Sequence, residues 1–162
     1  MAVCGFLKDT SLVLQPSIPE TCTSMTRMTV RIGSISFRAT LETTRAPLTT
    51  AAFLSRLPFD GQLVQARWSG EAGWVPLADT DLGVGYENAT SHPAPGQVLW
   101  HPAGVSEAEL LVPYGGTCFA SRVGQLAGNH FLTIHDDRGE LTSIGRRLLY
   151  AGAQPIRFEL AE

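Results

Sequence analysis

From Met28 onward apolar and polar positions alternate. The run "TVRIGSISFRATLE" sets Val30, Ile32, Ile35, Phe37, Ala39 and Leu41 against polar neighbours on either side of Gly33. A period of two residues broken by a glycine predicts a pair of strands joined as a hairpin. The period then changes in "APLTTAAFLSRLPFDG", where Ala52, Phe53, Leu54 and Leu57 recur at helical spacing. A short amphipathic helix is expected there, N-capped by Thr49 or Thr50 and stopped by Pro58 and Gly61. Five further apolar runs follow: "QLVQARW", "GWVPL", "GQVLWH", "AELLVPY" and "TCFASRVGQL". Each is bounded by Gly or Pro, the spacing of a small antiparallel barrel or sandwich. Near the C-terminus "RGELTSIGRRLLYAG" returns to a helical pattern that Gly152 ends, and "QPIRFEL" reads as a closing strand. No internal repeat or low-complexity tract interrupts this order.

Length and charge narrow the possibilities. A chain of 162 residues, 44% hydrophobic and 17% charged, suits one globular domain with a full core. Its formal charge of −3 and the lack of any dense basic run argue against nucleic acid as a partner. Lys8 is the sole lysine, so the positive charge is nearly all arginine, whose planar fork suits carboxylates. Cys4, Cys22 and Cys118 are odd in number and lack ligand spacing, which argues against a disulfide framework or a zinc knuckle and for a cytoplasmic protein. Residues 1–27 mix Thr, Ser, Pro and Cys without a period and are expected to form a flexible extension before a domain at 28–162, with Met25 or Met28 as a natural start. No segment has the length of a signal peptide core or a membrane span, so no membrane partner is expected.

The order of two strands, a helix and a strand ending in "ARW" resembles the opening of the cyclophilin-like barrel. The segments "ARWSGEAGW", "ENATSHPAPGQVLWHPAGVSEAELLVPYGGTCFASRVGQLAGNHFLTI" and "GAQPIRF" are similar to an uncharacterised bacterial domain-of-unknown-function family with that fold. The resemblance runs from Met28 to Phe158. It implies a mainly β fold: a closed or nearly closed antiparallel barrel with one or two short α-helices. It does not imply prolyl isomerisation. Cyclophilin isomerases resemble one another in an "FHR" strand, and here "QAR" stands in its place, so only Arg67 carries over. Fold alone does not transfer function.

The candidate chemistry gathers around "ARWSGEAGW", residues 66–74. Arg67, Trp68, Glu71 and Trp74 from this stretch, with Glu87, Asn88, His92, Ser106, Glu107 and Tyr114, form the expected ligand-binding set. Arginine beside tryptophan makes a flat cationic surface suited to a small carboxylate or amide. Carboxylates there become acids or bases if burial raises their pKa. The structural alternative is an ion pair from Arg67 to Glu71 or Glu87, with the tryptophans in the core. His92, His101, His130 and His135 show no metal spacing, and no metal or cofactor is expected. Cys118 reads as a packed residue rather than a nucleophile, and Ser69 lacks a local base. Ser106 and Glu109 fit a capping box, yet Pro113 favours a turn into a strand. On that reading Glu107 and Glu109 point the same way and join a polar pocket. Gln125, Asn129 and His130 either line a pocket or bond the backbone of an irregular strand. Two functions follow: a small-molecule protein of bacterial catabolism, or a non-catalytic assembly module. A homo-oligomer is expected in either case, because exposed Trp and Leu at strand edges need covering.

Overall fold

The computed structural model describes residues 26–161 apart from Asp79, Asp81 and Asp137. The extension expected at residues 1–27 therefore lies outside the described residues except at Thr26 and Arg27, and Arg27 already opens the first strand. Strands β1 (Arg27–Ile32) and β2 (Ile35–Leu41) form the hairpin that the alternation predicts, with Val30 and Phe37 paired and buried. Gly33 turns the chain between them at φ +59°, a conformation open to glycine.

Helix α1 (Pro47–Leu54) starts earlier than the cap expected from Thr49 or Thr50. Pro47 occupies its first turn, Ala46 is the N-cap residue, and both threonines lie buried inside the helix. Proline is pre-organised for that position. A free N–H of the first turn is capped from a distance, since Thr49 N donates to the Glu87 carboxylate. Strand β3 (Phe59–Gln65) then leads through a single 3-10 turn, Arg67–Ser69, into β4 (Gly70–Pro76). A two-residue β5 (Ala89–Thr90) precedes β6 (Gln97–His101) and β7 (Glu109–Thr117). No helix forms between β6 and β7, so the capping-box reading of Ser106 gives way to the turn. The short strands β8 (Ala120–Ser121) and β9 (Gly124–Gln125) make a separate hairpin. Strand β10 (Gly128–Ile134), helix α2 (Arg138–Ala151) and strand β11 (Gln154–Leu160) complete the chain.

Eight strands close a barrel in the order β1-β11-β3-β4-β7-β6-β10-β2, and β2 pairs back with β1. Every pairing is antiparallel. Closure leaves the eight barrel strands without an open edge, which is how small all-β folds avoid edge pairing. Phe53 of α1 fills the interior, with ring centroids 4.8 Å from Phe131 and 5.4 Å from Phe158. Leu141, Ile144 and Leu148 of α2 join the same core. A second, smaller apolar cluster of Ala66, Ala72, Leu99, Leu111, Phe119 and Leu126 lies apart from it, with Trp74 packed against it. Alternation assigns its strand members Ala72, Leu111 and Leu99, with Trp74, to the outer face of β4, β7 and β6, because the adjacent Val75, Leu110 and Trp100 belong to the interior. Among the described residues no helix is long and apolar enough to cross a membrane.

Candidate functional site

The outer face of β4, β7 and β6 carries the molecule's unusual polar groups. On it Trp74 pairs with Leu111 and Leu111 with Leu99; one step along, Pro76 pairs with Glu109 and Glu109 with His101. Directly opposed residues leave a sheet side by side, about 5 Å apart at Cβ. Glu109 is only 3% exposed, and its Oε1 has no hydrogen-bond partner. His101 is fully buried. Its Nδ1 lies 2.8 Å from the Ala127 carbonyl oxygen, so that nitrogen carries the proton and Nε2 presents a lone pair. That Nε2 is unpartnered, as is the buried Nε1 of Trp74.

Burial, with the Glu107 charge adding to it, pushes the Glu109 carboxyl up to about 7. Burial also holds the His101 imidazole below its ordinary value, against the opposing pull of the Ala127 carbonyl. A neutral histidine thus stands beside a carboxyl poised between its two forms at neutral pH, the condition for acid–base work. Tyr86 and Phe119 flank the imidazole with ring centroids 6.3 and 5.6 Å away.

A cavity of about 530 Å³ opens over Glu109. Trp68 and Trp74 form one wall, their rings 5.5 Å apart and 70° to each other, with Trp68 51% exposed. Val105, Ser106 and Glu107 from the β6–β7 loop form a second wall, and Ser121, Arg122 and Val123 at the tip of the β8–β9 hairpin form the third. A wider groove of about 640 Å³ runs along α2, but its lining comes from that helix alone and includes none of the unpartnered buried atoms.

"ARWSGEAGW" builds this site more than it supplies the chemistry. Ser69 Oγ donates to Ala120 O at 3.0 Å and accepts from Ala120 N at 3.1 Å, while Cys118 N donates to Ser69 O. That clasp holds the β8–β9 hairpin against the corner. Gly70, at φ +97°, lets the corner approach β7, where a Cβ would stand 2.5 Å from Gly116 O. Glu71 Oε2 accepts from Gly116 N at 3.0 Å and fixes the same corner.

Of the ten residues expected to bind ligand, the cavity brings together Trp68, Trp74, Ser106 and Glu107. The other six stand elsewhere. Arg67 is exposed outside the lining and makes no ion pair among the described residues, so the expected pairing with Glu71 or Glu87 is not formed. Glu71 serves the corner. Glu87 caps α1, and Asn88 Nδ2 donates to His130 O at 2.7 Å, which ties the same loop to β10. His92 is exposed. Tyr114 is buried in the main core, its hydroxyl donating to Gln65 Oε1 at 2.8 Å.

Asn129 also takes the structural alternative: its Nδ2 donates to Thr49 Oγ1 and Gly85 O, and its Oδ1 accepts from Glu87 N. His130 Nε2 lies 2.9 Å from Thr133 Oγ1, and Gln125 is exposed. Cys118 is exposed rather than packed, because Phe119 takes the buried slot after β7 ends. No group of three or more His, Cys, Asp or Glu that could hold a metal forms among the described residues.

The ten-residue set leaves out His101, Glu109 and Arg122, although the turn reading of the Ser106 segment joins Glu109 to Glu107 in a polar pocket, and both line the cavity. Glu109 and His101 carry a readable signal, since "GQVLWH" and "AELLVPY" as neighbouring strands place both residues in step with Leu99 and Leu111. Arg122 had none, because its position depends on the Ser69 clasp.

Solved structures share this architecture at low sequence identity. McbB, solved in complex with tryptophan, superposes with a TM-score of 0.62 at 18% identity, covering 82% of this chain. This chain spans only 44% of McbB. The hypothetical protein AF2241 from Archaeoglobus fulgidus gives a TM-score of 0.55 at 18% identity, covering 85% of this chain and 95% of its own. No curated protein sequence matches. The model of the family of proteins of unknown function DUF3830 matches residues 28–160, and the chain belongs to that family.

Proposed function

We propose that the cavity over Glu109 binds a small, flat molecule bearing a carboxylate or amide, with Arg122 in the anchoring role expected of Arg67. The observation that carries this is the convergence of two unpartnered buried atoms, Trp74 Nε1 and Glu109 Oε1, on residues that line one cavity. A buried polar group without a partner costs about 1–3 kcal/mol, and a ligand that pairs it recovers that cost. The exposed Trp68 ring offers a face to a flat ligand, and the Arg122 fork suits a carboxylate. McbB was solved with tryptophan, but at 18% identity that likeness carries the fold alone, so the ligand class rests on the cavity's chemistry.

A thermal-shift panel of small carboxylic acids and amides tests the site. Compounds that raise the melting temperature are expected to lose about tenfold or more in affinity in Trp74→Phe, which keeps an aromatic side chain and removes the N–H donor. Arg122→Gln is expected to weaken the carboxylates more than the amides, whereas Arg67→Ala leaves every hit unchanged. Absence of hits, or hits insensitive to Trp74→Phe and Arg122→Gln, would contradict the assignment. The exposed side chains Leu149, Tyr150 and Leu160 favour a second reading, an oligomeric assembly module. Light scattering on the purified protein distinguishes the two, since a monomer removes the ground for an assembly role.

A further inference from the structure

Resting on that binding site, we propose that the cavity is an acid–base active site that interconverts the keto and enol forms of a 2-oxo acid, with Glu109 moving the proton. Each part of such a reaction has a residue in place. Arg122 takes the carboxylate of the substrate, and the Trp68 ring lies alongside its conjugated portion. Trp74 Nε1, a donor with no partner of its own, meets the 2-oxo oxygen, where negative charge develops. Glu109, which lines the same cavity and whose buried Oε1 has no partner, is the group assigned to the hydrogen on the carbon next to the carbonyl.

The Glu109 carboxylate removes that hydrogen as a proton. The C–H electron pair becomes the carbon–carbon double bond, and the carbonyl π pair moves to the oxygen. The proton now on Glu109 passes to that oxygen, which gives the enol and restores the carboxylate. Atoms and electrons balance within the substrate and one side chain, so no co-reactant is consumed, and the same steps run in reverse. His101 acts as a positioning residue. Its Nε2 lone pair, fixed by the bond from Nδ1–H to Ala127 O, stands opposite Glu109 on the ladder and favours the protonated acid formed midway.

The charged and titratable groups around Glu109 are Glu107 from its own loop, His101 from β6 and Arg122 from the hairpin. A base must be ionised to start the enolisation. The rate is therefore expected to rise with pH through the Glu109 midpoint at about 7.

The test uses the full chain and phenylpyruvate in heavy water, following loss of its methylene proton signal by NMR, with thermal shift as the binding readout. Exchange above the buffer rate, proportional to protein concentration and rising through neutral pH, is the expected result. Glu109→Gln is expected to lower the protein-dependent rate at least a hundredfold while phenylpyruvate still raises the melting temperature. Trp74→Phe, which leaves an aromatic side chain without the N–H, is expected to lower it tenfold or more, and His101→Gln to move the midpoint of the pH profile. If phenylpyruvate stabilises the protein yet exchanges at the buffer rate, the catalytic proposal fails and the binding site stands. If neither phenylpyruvate nor any other carboxylate or amide stabilises it, both fail together.

Discussion

Glu109 sets a pH dependence that needs no ligand to observe. Its carboxyl titrates at about 7 in the folded chain against 4.5 as the ordinary value, so the fold holds the proton more tightly than the unfolded chain does. Stability from this group is full below pH 4.5 and is lost as pH rises through 7. The loss is about 3 kcal/mol once both states are ionised. Glutamine mimics the neutral acid in size and cannot ionise. Glu109→Gln is therefore expected to match the native protein in melting temperature at pH 5 and to exceed it at pH 8. An equal difference at both pH values would mean that Glu109 is not desolvated. His101 acts on the opposite flank: its pKa is lowered, so the stability of its neutral form is present at higher pH and lost as pH falls through the folded value.

At the scale of elements, the closing strand and the end of α2 follow from local pattern, and the N-cap of α1 does not. The closing strand read from "QPIRFEL" is β11 itself, and Gly152 ends α2 at φ +82°. Both outcomes depend on neighbours within a few residues. The cap of α1 depends on Glu87, which lies 38 residues beyond Thr49, and no local pattern records it. The seat of α2 likewise rests on a contact invisible in the sequence. A Cβ at Gly145 would stand 2.1 Å from the Tyr114 ring, and Thr142 Oγ1 donates to Tyr114 O. Gly145→Ala must push α2 off the barrel, at about 1–3 kcal/mol for overpacking. Calorimetry is expected to show a melting point lower by about 2–8 °C, with ligand affinity unchanged because the cavity draws on neither residue. An unchanged melting point would mean that α2 does not pack on Tyr114 this way.

For the whole molecule, the antiparallel β character was legible in the run pattern, which suits a barrel or a sandwich alike; seven of the eight runs are barrel strands, while "TCFASRVGQL" builds the separate β8–β9 hairpin and the eighth barrel strand, β10, is not among them. The site was legible only in part. "ARWSGEAGW" drew attention by its concentration of costly side chains, and Trp68 and Trp74 do line the cavity. Arg67 drew the same attention and stands outside it, because the 3-10 turn at Arg67–Ser69 carries it to the surface. What the stretch contributes besides its tryptophans is the corner: Ser69 clasps the hairpin that brings Arg122 over Glu109. Three residues far apart in sequence, Trp74, Glu109 and Arg122, converge only after the barrel has closed and that hairpin has docked.

The central claim, that the free Trp74 N–H awaits a ligand in this cavity, is tested most directly by the indole N–H signals in a proton–nitrogen NMR spectrum. Trp68, Trp74 and Trp100 give three such signals, and Trp74→Phe assigns the one of interest. Adding phenylpyruvate, or the strongest stabilising carboxylate or amide, is expected to shift the Trp74 signal downfield as its proton gains an acceptor, while the Trp100 signal inside the barrel stays in place. A saturating ligand that leaves the Trp74 signal unmoved would contradict the account.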